Sequence, residues 1–166
     1  MAEKNVEAIV TPKARMAFAW AFRPKPAKPN ADGTTTKKPR YTVTLLFEKG
    51  ETLADLKKRC YEAAVAKWGA NADKRISHPK FKKGFKDQGE MVDKDGALYK
   101  GMTPGAISFE AWSYTAPGVA GPRADPDTGK VERLTTDAEF YSGCYGRAKV
   151  RPYAWENPEG GYGISF

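Results

Sequence analysis

Apolar and polar, or large and small, side chains alternate with a period of two through several stretches of the chain, and each such stretch predicts a strand. In ARMAFAWAF, Met16, Phe18, Trp20 and Phe22 fall on one side and Arg15, Ala17, Ala19 and Ala21 on the other, which assigns the four large side chains to the core. In YTVTLLF, Tyr41, Val43, Leu45 and Phe47 oppose Thr42, Thr44 and Leu46, a half-buried strand. AISFEAWSY sets Ile107, Phe109 and Ala111 against Ser108, Glu110, Trp112 and Tyr114, with the last two rings on the outward side. The longest run, YGRAKVRPYAW, separates Tyr145, Arg147, Lys149, Arg151, Tyr153 and Trp155 from Gly146, Ala148, Val150, Pro152 and Ala154. One face of that strand is small and apolar, the other cationic and aromatic.

A different period governs TLADLKKRCYEAAVAKWG. Leu53, Leu56, Cys60, Ala63 and Ala64 recur at helical spacing while Lys57, Lys58 and Glu62 lie outside the stripe, predicting a helix over residues 53–68. Thr52 followed by Asp55 reads as a capping box, and Gly69 as the stop. RADPDTGKVERL predicts a hairpin turning at residues 126–129, and GGYGISF the hairpin partner of the YGRAKVRPYAW strand, with its turn at residues 157–160. Four prolines and a Thr run make residues 23–40 a long flexible basic loop. Residues 70–100, punctuated by Gly84, Gly89 and Gly96, read as an irregular basic segment. About five strands and one helix result: a mainly β protein with one helix, an OB-fold-like five-stranded barrel with long loops. The OB-fold's own helix lies between its third and fourth strands, whereas here the helix follows the second.

The 166-residue length fits one domain over residues 1–166, and 40% hydrophobic with 29% charged residues is an ordinary globular balance. No apolar run approaches the roughly 18 residues that span a bilayer. The N-terminal MAEKNVEAIVTPK also lacks a signal-peptide hydrophobic region, so a soluble, intracellular protein is expected. Cys60 and Cys144, the only cysteines, form neither a metal-ligand cluster nor a redox CxxC pair and are expected reduced and buried. The net charge of +8 is concentrated: residues 23–40 hold six Lys/Arg and one Asp, and residues 74–86 six Lys/Arg and no acid. The rest of the chain carries a small net negative charge, so two basic segments point to a polyanionic partner.

Catalytic classes find little support. His78 is the sole histidine, which leaves a triad dependent on one residue in a basic segment. No GxxxxGK[ST] phosphate loop is present, and GGYG lacks the GxGxxG spacing. Asp93 and Asp95 in DKDG, or Asp125 and Asp127 in ADPDTG, could serve a metal-dependent nuclease or resolvase, but beside glycine they read as acidic turn residues. DKDG also fails as a calcium loop, because its glycine comes early and no Glu stands at the twelfth position. No catalytic residue, metal or cofactor is assigned.

Binding chemistry is better represented. KRISHPKFKKGFK interleaves Phe81 and Phe85 with Lys80, Lys82, Lys83 and Lys86; the rings either stack bases or anchor a lysine-coated loop, and the lysines suit phosphates in both cases. On the YGRAKVRPYAW strand, the outward residues pair rings with cations, Trp112 and Tyr114 could extend that platform, and Arg40 adds a further phosphate contact. Stacking requires exposed base faces, which duplex DNA hides, so the aromatics point to single strands. Nothing in the chain identifies a 2′-hydroxyl contact, and an RNA-binding module remains an alternative beside the nuclease.

Over FYSGCYGRAKVRPYAWENPEGGYGISF the chain resembles a phage family of single-stranded DNA-binding proteins, first catalogued as a domain of unknown function, whose members carry a similar YSGCY segment, a strand and a glycine-rich turn. Lesser echoes are the strand-and-helix layout of residues 41–68, Lys86-Asp87-Gln88-Gly89 and Tyr99-Lys100-Gly101. The resemblance implies an OB-fold core and non-sequence-specific binding of single-stranded DNA in phage replication, recombination or repair, in the cytoplasm of the infected bacterial host. Relatives continue past the GISF-like strand, commonly to an acidic tail that contacts replication proteins. The resemblance implies phage replication proteins as partners through such a tail, and this sequence, which stops at Phe166 without an acidic run, is expected to be truncated before it.

Overall fold

The computed structural model describes residues 6–35 and 37–166; the first five residues of MAEKNVEAIVTPK and Thr36 of the Thr run lie outside the described residues. In chain order the strands are β1 (Ile9–Val10), β2 (Ala14–Lys25), β3 (Arg40–Leu46), β4 (Phe81–Lys82), β5 (Phe85–Asp87), β6 (Ile107–Ser113), β7 (Val119–Ala124), β8 (Val131–Leu134), β9 (Tyr145–Gly146), β10 (Lys149–Val150), β11 (Tyr153–Glu156) and β12 (Tyr162–Ser165). The long helix α1 (Ala54–Trp68) and the short α2 (Ala72–Ile76) lie between β3 and β4. The mainly β class with one long helix is what the structure shows. The expected five-stranded barrel is not closed; the sheets are open, a five-stranded sheet ordered β5-β6-β3-β2-β9, a three-stranded sheet ordered β11-β12-β4, and the pairs β1-β10 and β7-β8.

The core lies under one face of the five-stranded sheet. Strand pairing aligns Met16 with Leu45, Leu45 with Phe109 and Phe109 with Phe85, so these four share a face. Leu56, Cys60, Ala63 and Ala64 of α1, with Ile164 and Phe166, complete the cluster. Burial pushes the Cys60 thiol up to about 12, so Cys60 packs without nucleophilic character. Cys144 is half-buried, and both cysteines are free. No helix among the described residues is long and apolar enough to cross a membrane.

The helix limits match the apolar stripe, but the capping box does not form. Leu53 takes the cap position in the left-handed region at φ 50°, no side chain caps the helix, and Leu53 itself is buried while Thr52 is exposed. Burying this leucine sets the entry angle and carries the threonine into solvent. At the other end Gly69, at φ 55°, donates its N–H to the Val65 carbonyl.

Two expectations about β2 change. The strand runs on to Lys25, which pairs with Arg40, so the irregular part of the 23–40 loop shrinks to residues 26–39. Its tip is a defined turn in which the Asp32 carboxylate accepts from the Thr34 N–H (2.9 Å) and hydroxyl (2.6 Å). Within the strand, the register slips between Ala17 and Trp20, a bulge at which Phe18 adopts φ 48°. A bulky residue in that region stores about 1–3 kcal/mol of strain. The bulge resets the alternation: Met16 is buried as expected, but Phe18 is 38% exposed and Ala21, not Phe22, is the next buried residue. Trp20 pairs with Thr42, which places it on the sheet face opposite the core.

The 70–100 segment is less irregular than its composition implies. Gln88 is 2% exposed; its amide donates to the carbonyls of Phe47 (2.9 Å) and Ile107 (3.0 Å) and its oxygen accepts from the Thr103 N–H. Asp87 accepts from the N–H groups of Gly89 (2.7 Å) and Gly105 (2.9 Å), bonds that hold its carboxyl below the usual range. Together they tie down both ends of a strap, residues 91–105, that lies across the outer face of the five-stranded sheet. The strap is held there by Arg15 donating to the Gly101 carbonyl and by Ser108 against the Met91 sulfur (3.5 Å).

Candidate nucleic-acid interface

The YGRAKVRPYAW run is three short strands with three different partners: β9 on β2, β10 on β1 and β11 on β12. The ladder breaks at Arg147-Ala148 and at Arg151-Pro152, where proline has no N–H to donate. The backbone stays extended across the first break, because Ala148 exchanges hydrogen bonds with Thr11 (2.9 and 3.0 Å). Alternation survives as far as Tyr153: Tyr145, Arg147, Lys149, Arg151 and Tyr153 are exposed, whereas Val150 and Pro152 are buried, Gly146, Ala148 and Ala154 half-buried, and the sixth expected outward residue, Trp155, is also half-buried. At about 3.3 Å per residue the outward side traces a path of roughly 33 Å.

At the β11 end this path meets other expected residues. In the three-stranded sheet Trp155 pairs with Gly163 and Gly163 with Lys82, so the three share the outward face, where the Lys82 ammonium lies 5.7 Å from the Trp155 ring centre. Gly163 is required there, since a Cβ would run into the Lys82 carbonyl oxygen. Two residues along the same face, Tyr153 packs edge-on to Trp112 at 5.9 Å and 80°, and Trp112 edge-on to Tyr114 at 5.1 Å and 74°. The Arg40 guanidinium covers the Trp112 ring at 5.0 Å and donates to the Glu110 carboxylate at 2.7 Å. Burial pushes the Tyr153 phenol up, against the opposing pull of the Ser165 hydroxyl and the Arg40 charge. The result is a row of rings, Trp155, Tyr153, Trp112 and Tyr114, with Lys82 over the first and Arg40 over the third. Tyr114 is 60% exposed.

The remaining expected residues lie elsewhere. Tyr145 stands at the edge of the five-stranded sheet with the Lys13 ammonium 5.6 Å from its ring centre. Arg147 lines a hollow with Lys13 between β1 and the start of α1, and Lys149 sits opposite Val10 in β10. Lys80, Lys83 and Lys86 are exposed around β4 and β5. Phe81 and Phe85 act as anchors: Phe81 packs on Trp68 and Tyr162, and Phe85 on Phe109 and Phe166. The carboxylates weighed for a metal close their own turns, Asp93 accepting from Asp95 and Ala97 N–H groups and Asp125 from those of Asp127 and Thr128. No group of three or more potential metal ligands occurs among the described residues.

Sequence reasoning missed two features. Trp20 stands on the outer sheet face, paired with Thr42 as Trp112 is, with the Arg23 guanidinium 5.5 Å from its ring centre. Only the bulge puts it there, and strict alternation does not reveal a bulge. On the inner face of the three-stranded sheet, Arg75 lies over Trp68 (5.5 Å) and Tyr162 (5.0 Å) and pairs with Glu156 at 2.7 Å, holding that carboxyl below its usual range.

A row of rings, Tyr153 and Tyr114 exposed and Trp155 and Trp112 half-buried, with cations over its indoles on a mainly β frame, is the surface type used to hold single-stranded nucleic acid. The family model described as Enterobacter phage Enc34, ssDNA-binding protein, matches residues 7–165, and the chain belongs to that family. The family resemblance read from residues 140–166 thus extends over nearly the whole chain. Among solved structures, the single-stranded DNA-binding protein from bacteriophage Enc34 in complex with ssDNA is similar at TM-score 0.57 and 20% identity, over 99% of this chain and 92% of that one. The gp2.5 single-stranded DNA binding protein encoded by bacteriophage T7 is similar at TM-score 0.50 and 11% identity, over 96% of this chain and 81% of that one. At these identities the two structures speak to the fold. No curated protein matches the chain.

Proposed function

We propose that this chain is a non-catalytic protein that binds single-stranded DNA without sequence preference, in phage DNA replication, recombination or repair within the cytoplasm of the infected host. The observation that supports the reading most is the row Trp155, Tyr153, Trp112 and Tyr114, with Lys82 over Trp155 and Arg40 over Trp112. Each base stacked on such a ring contributes about 1–3 kcal/mol, and every base has a π-face to offer. Arg151, Lys149, Arg147 and Tyr145 carry the strand onward along the outward side of residues 145–155, and Lys80, Lys83 and Lys86 add charge beside Lys82. Family membership and the two phage structures support the same reading. Asp93 and Asp125 accept N–H groups that close their own turns, which favours the binding reading over the nuclease alternative.

Titration of the tryptophan fluorescence with equal-length single-stranded DNA, single-stranded RNA and duplex DNA tests it. Strong quenching by single strands and weak quenching by duplex is expected; a preference for duplex would remove the stacking account.

A further inference from the structure

We propose that the binding track for single-stranded DNA continues past Trp112, across β3 to Trp20 and on to the Phe18–Tyr99 pair on the outer face of the five-stranded sheet. This rests on the reading of the chain as a single-strand binder. Pairing of Thr42 with both Trp112 and Trp20 puts the two indoles on one face, their backbones about 10 Å apart, twice the strand spacing. Beyond Trp20, Phe18 is 38% and Tyr99 41% exposed, and their rings meet edge-on at 5.3 Å. Cations accompany them as they do Trp112: Arg23 over the Trp20 ring, Lys25 opposite Arg40, and Arg15 across the pairing from Tyr145. A polyanion with exposed bases is complementary to a surface of this kind, and Tyr145 at its far end rejoins the residue 145–155 path.

Phe18 is the decisive residue. A left-handed backbone at a phenylalanine is strained, and strain of this kind is ordinarily tolerated in exchange for burial or function. Here the strained residue points its ring outward, so burial does not explain it. The YSGC segment holds the bulge in place: the Ala19 N–H donates to the Ser142 hydroxyl (2.9 Å), the Gly143 N–H to the Met16 carbonyl (2.7 Å) and the Met16 N–H to the Cys144 carbonyl (2.8 Å). Gly143 makes these bonds at φ 115°, a conformation open to glycine. The YSGC segment thus clamps an exposed aromatic in an unfavourable conformation beside Trp20.

The test is Phe18→Gly, which removes the ring and suits the backbone, so the protein should melt at the parent's temperature or above. Binding is measured with oligonucleotides of about five and about twelve nucleotides, within the roughly 4–16 nucleotide range of single-strand-binding folds. Trp20→Ala is measured alongside. The track predicts about tenfold weaker binding of the longer oligonucleotide by each variant and unchanged binding of the shorter one. Parent-like binding of both lengths, or equal loss at both lengths with a lowered melting temperature, would overturn the extension and leave the Trp112–Tyr153–Trp155 site standing. Failure of the parent to bind either oligonucleotide would overturn both readings.

Discussion

The two faces of the β11-β12-β4 sheet carry nearly the same chemistry and do different things with it. Outward stand Tyr153, Trp155 and Lys82, with Trp112 and Arg40 alongside; inward stand Tyr162, Phe81, Trp68 and Arg75. Each face has a cation over an indole, Lys82 at 5.7 Å and Arg75 at 5.5 Å, and each has an arginine paired to a glutamate at 2.7 Å. The two indoles, Trp155 and Trp68, are alike half-buried with their N–H groups enclosed, and what differs is the enclosure of the tyrosines. Tyr162 is met by Trp68, Phe81, His78 and Arg75 at once, whereas Tyr153 packs edge-on to Trp112 alone and the row ends in the open ring of Tyr114. Aromatic-plus-basic composition therefore does not assign a binding surface; the direction of each side chain and what packs above it do.

Substitutions can break or sharpen that contrast. Trp68→Ala should cost about 3 kcal/mol of stability, because the ring is part of the inner packing, and should leave intrinsic affinity for single strands near the parent's once folding is restored. Denaturant unfolding and binding at low temperature check the two halves. A large affinity loss without a stability loss would make the inner face a second binding surface. The cations sort by a smaller effect. Arg151→Ala and Lys82→Ala should each flatten the dependence of log affinity on log salt by roughly 0.7, while Arg75→Ala, held by Glu156 and two rings, should leave it unchanged.

Much of the site was legible because period-two alternation needs only an extended backbone. Residues 145–155 keep their outward and inward sides although they pair with three different strands, so the sides of Tyr153, Trp155 and the cations Arg147, Lys149 and Arg151 could be read from order alone. The same holds for α1, whose stripe of Leu56, Cys60, Ala63 and Ala64 is buried as its spacing requires. Alternation fails where one residue is inserted. The bulge at Phe18 moved Trp20 from its expected core position to the outer face, and no local signal in ARMAFAWAF marks the insertion, because the cause lies more than 120 residues away in the Ala19–Ser142 bond. The missing capping box has a similar origin: Thr52 and Asp55 have the right spacing, but burial of Leu53 against the core overrides it. The hairpin partners β11-β12 and β7-β8 were legible from their turns, but the long-range contacts were not, since neither the parallel β12-β4 pairing nor the strap anchored by Gln88 is encoded locally.

The account stands most directly on the affinity of a single-stranded oligonucleotide for the Tyr153→Ala, Trp155→Ala double variant, measured beside its unfolding midpoint. Loss of two stacking contacts predicts binding weaker by about a hundredfold in the folded double variant, with a lowered midpoint because the Trp155 ring is half-buried and its indole N–H enclosed. Parent-like affinity in a folded double variant would contradict it.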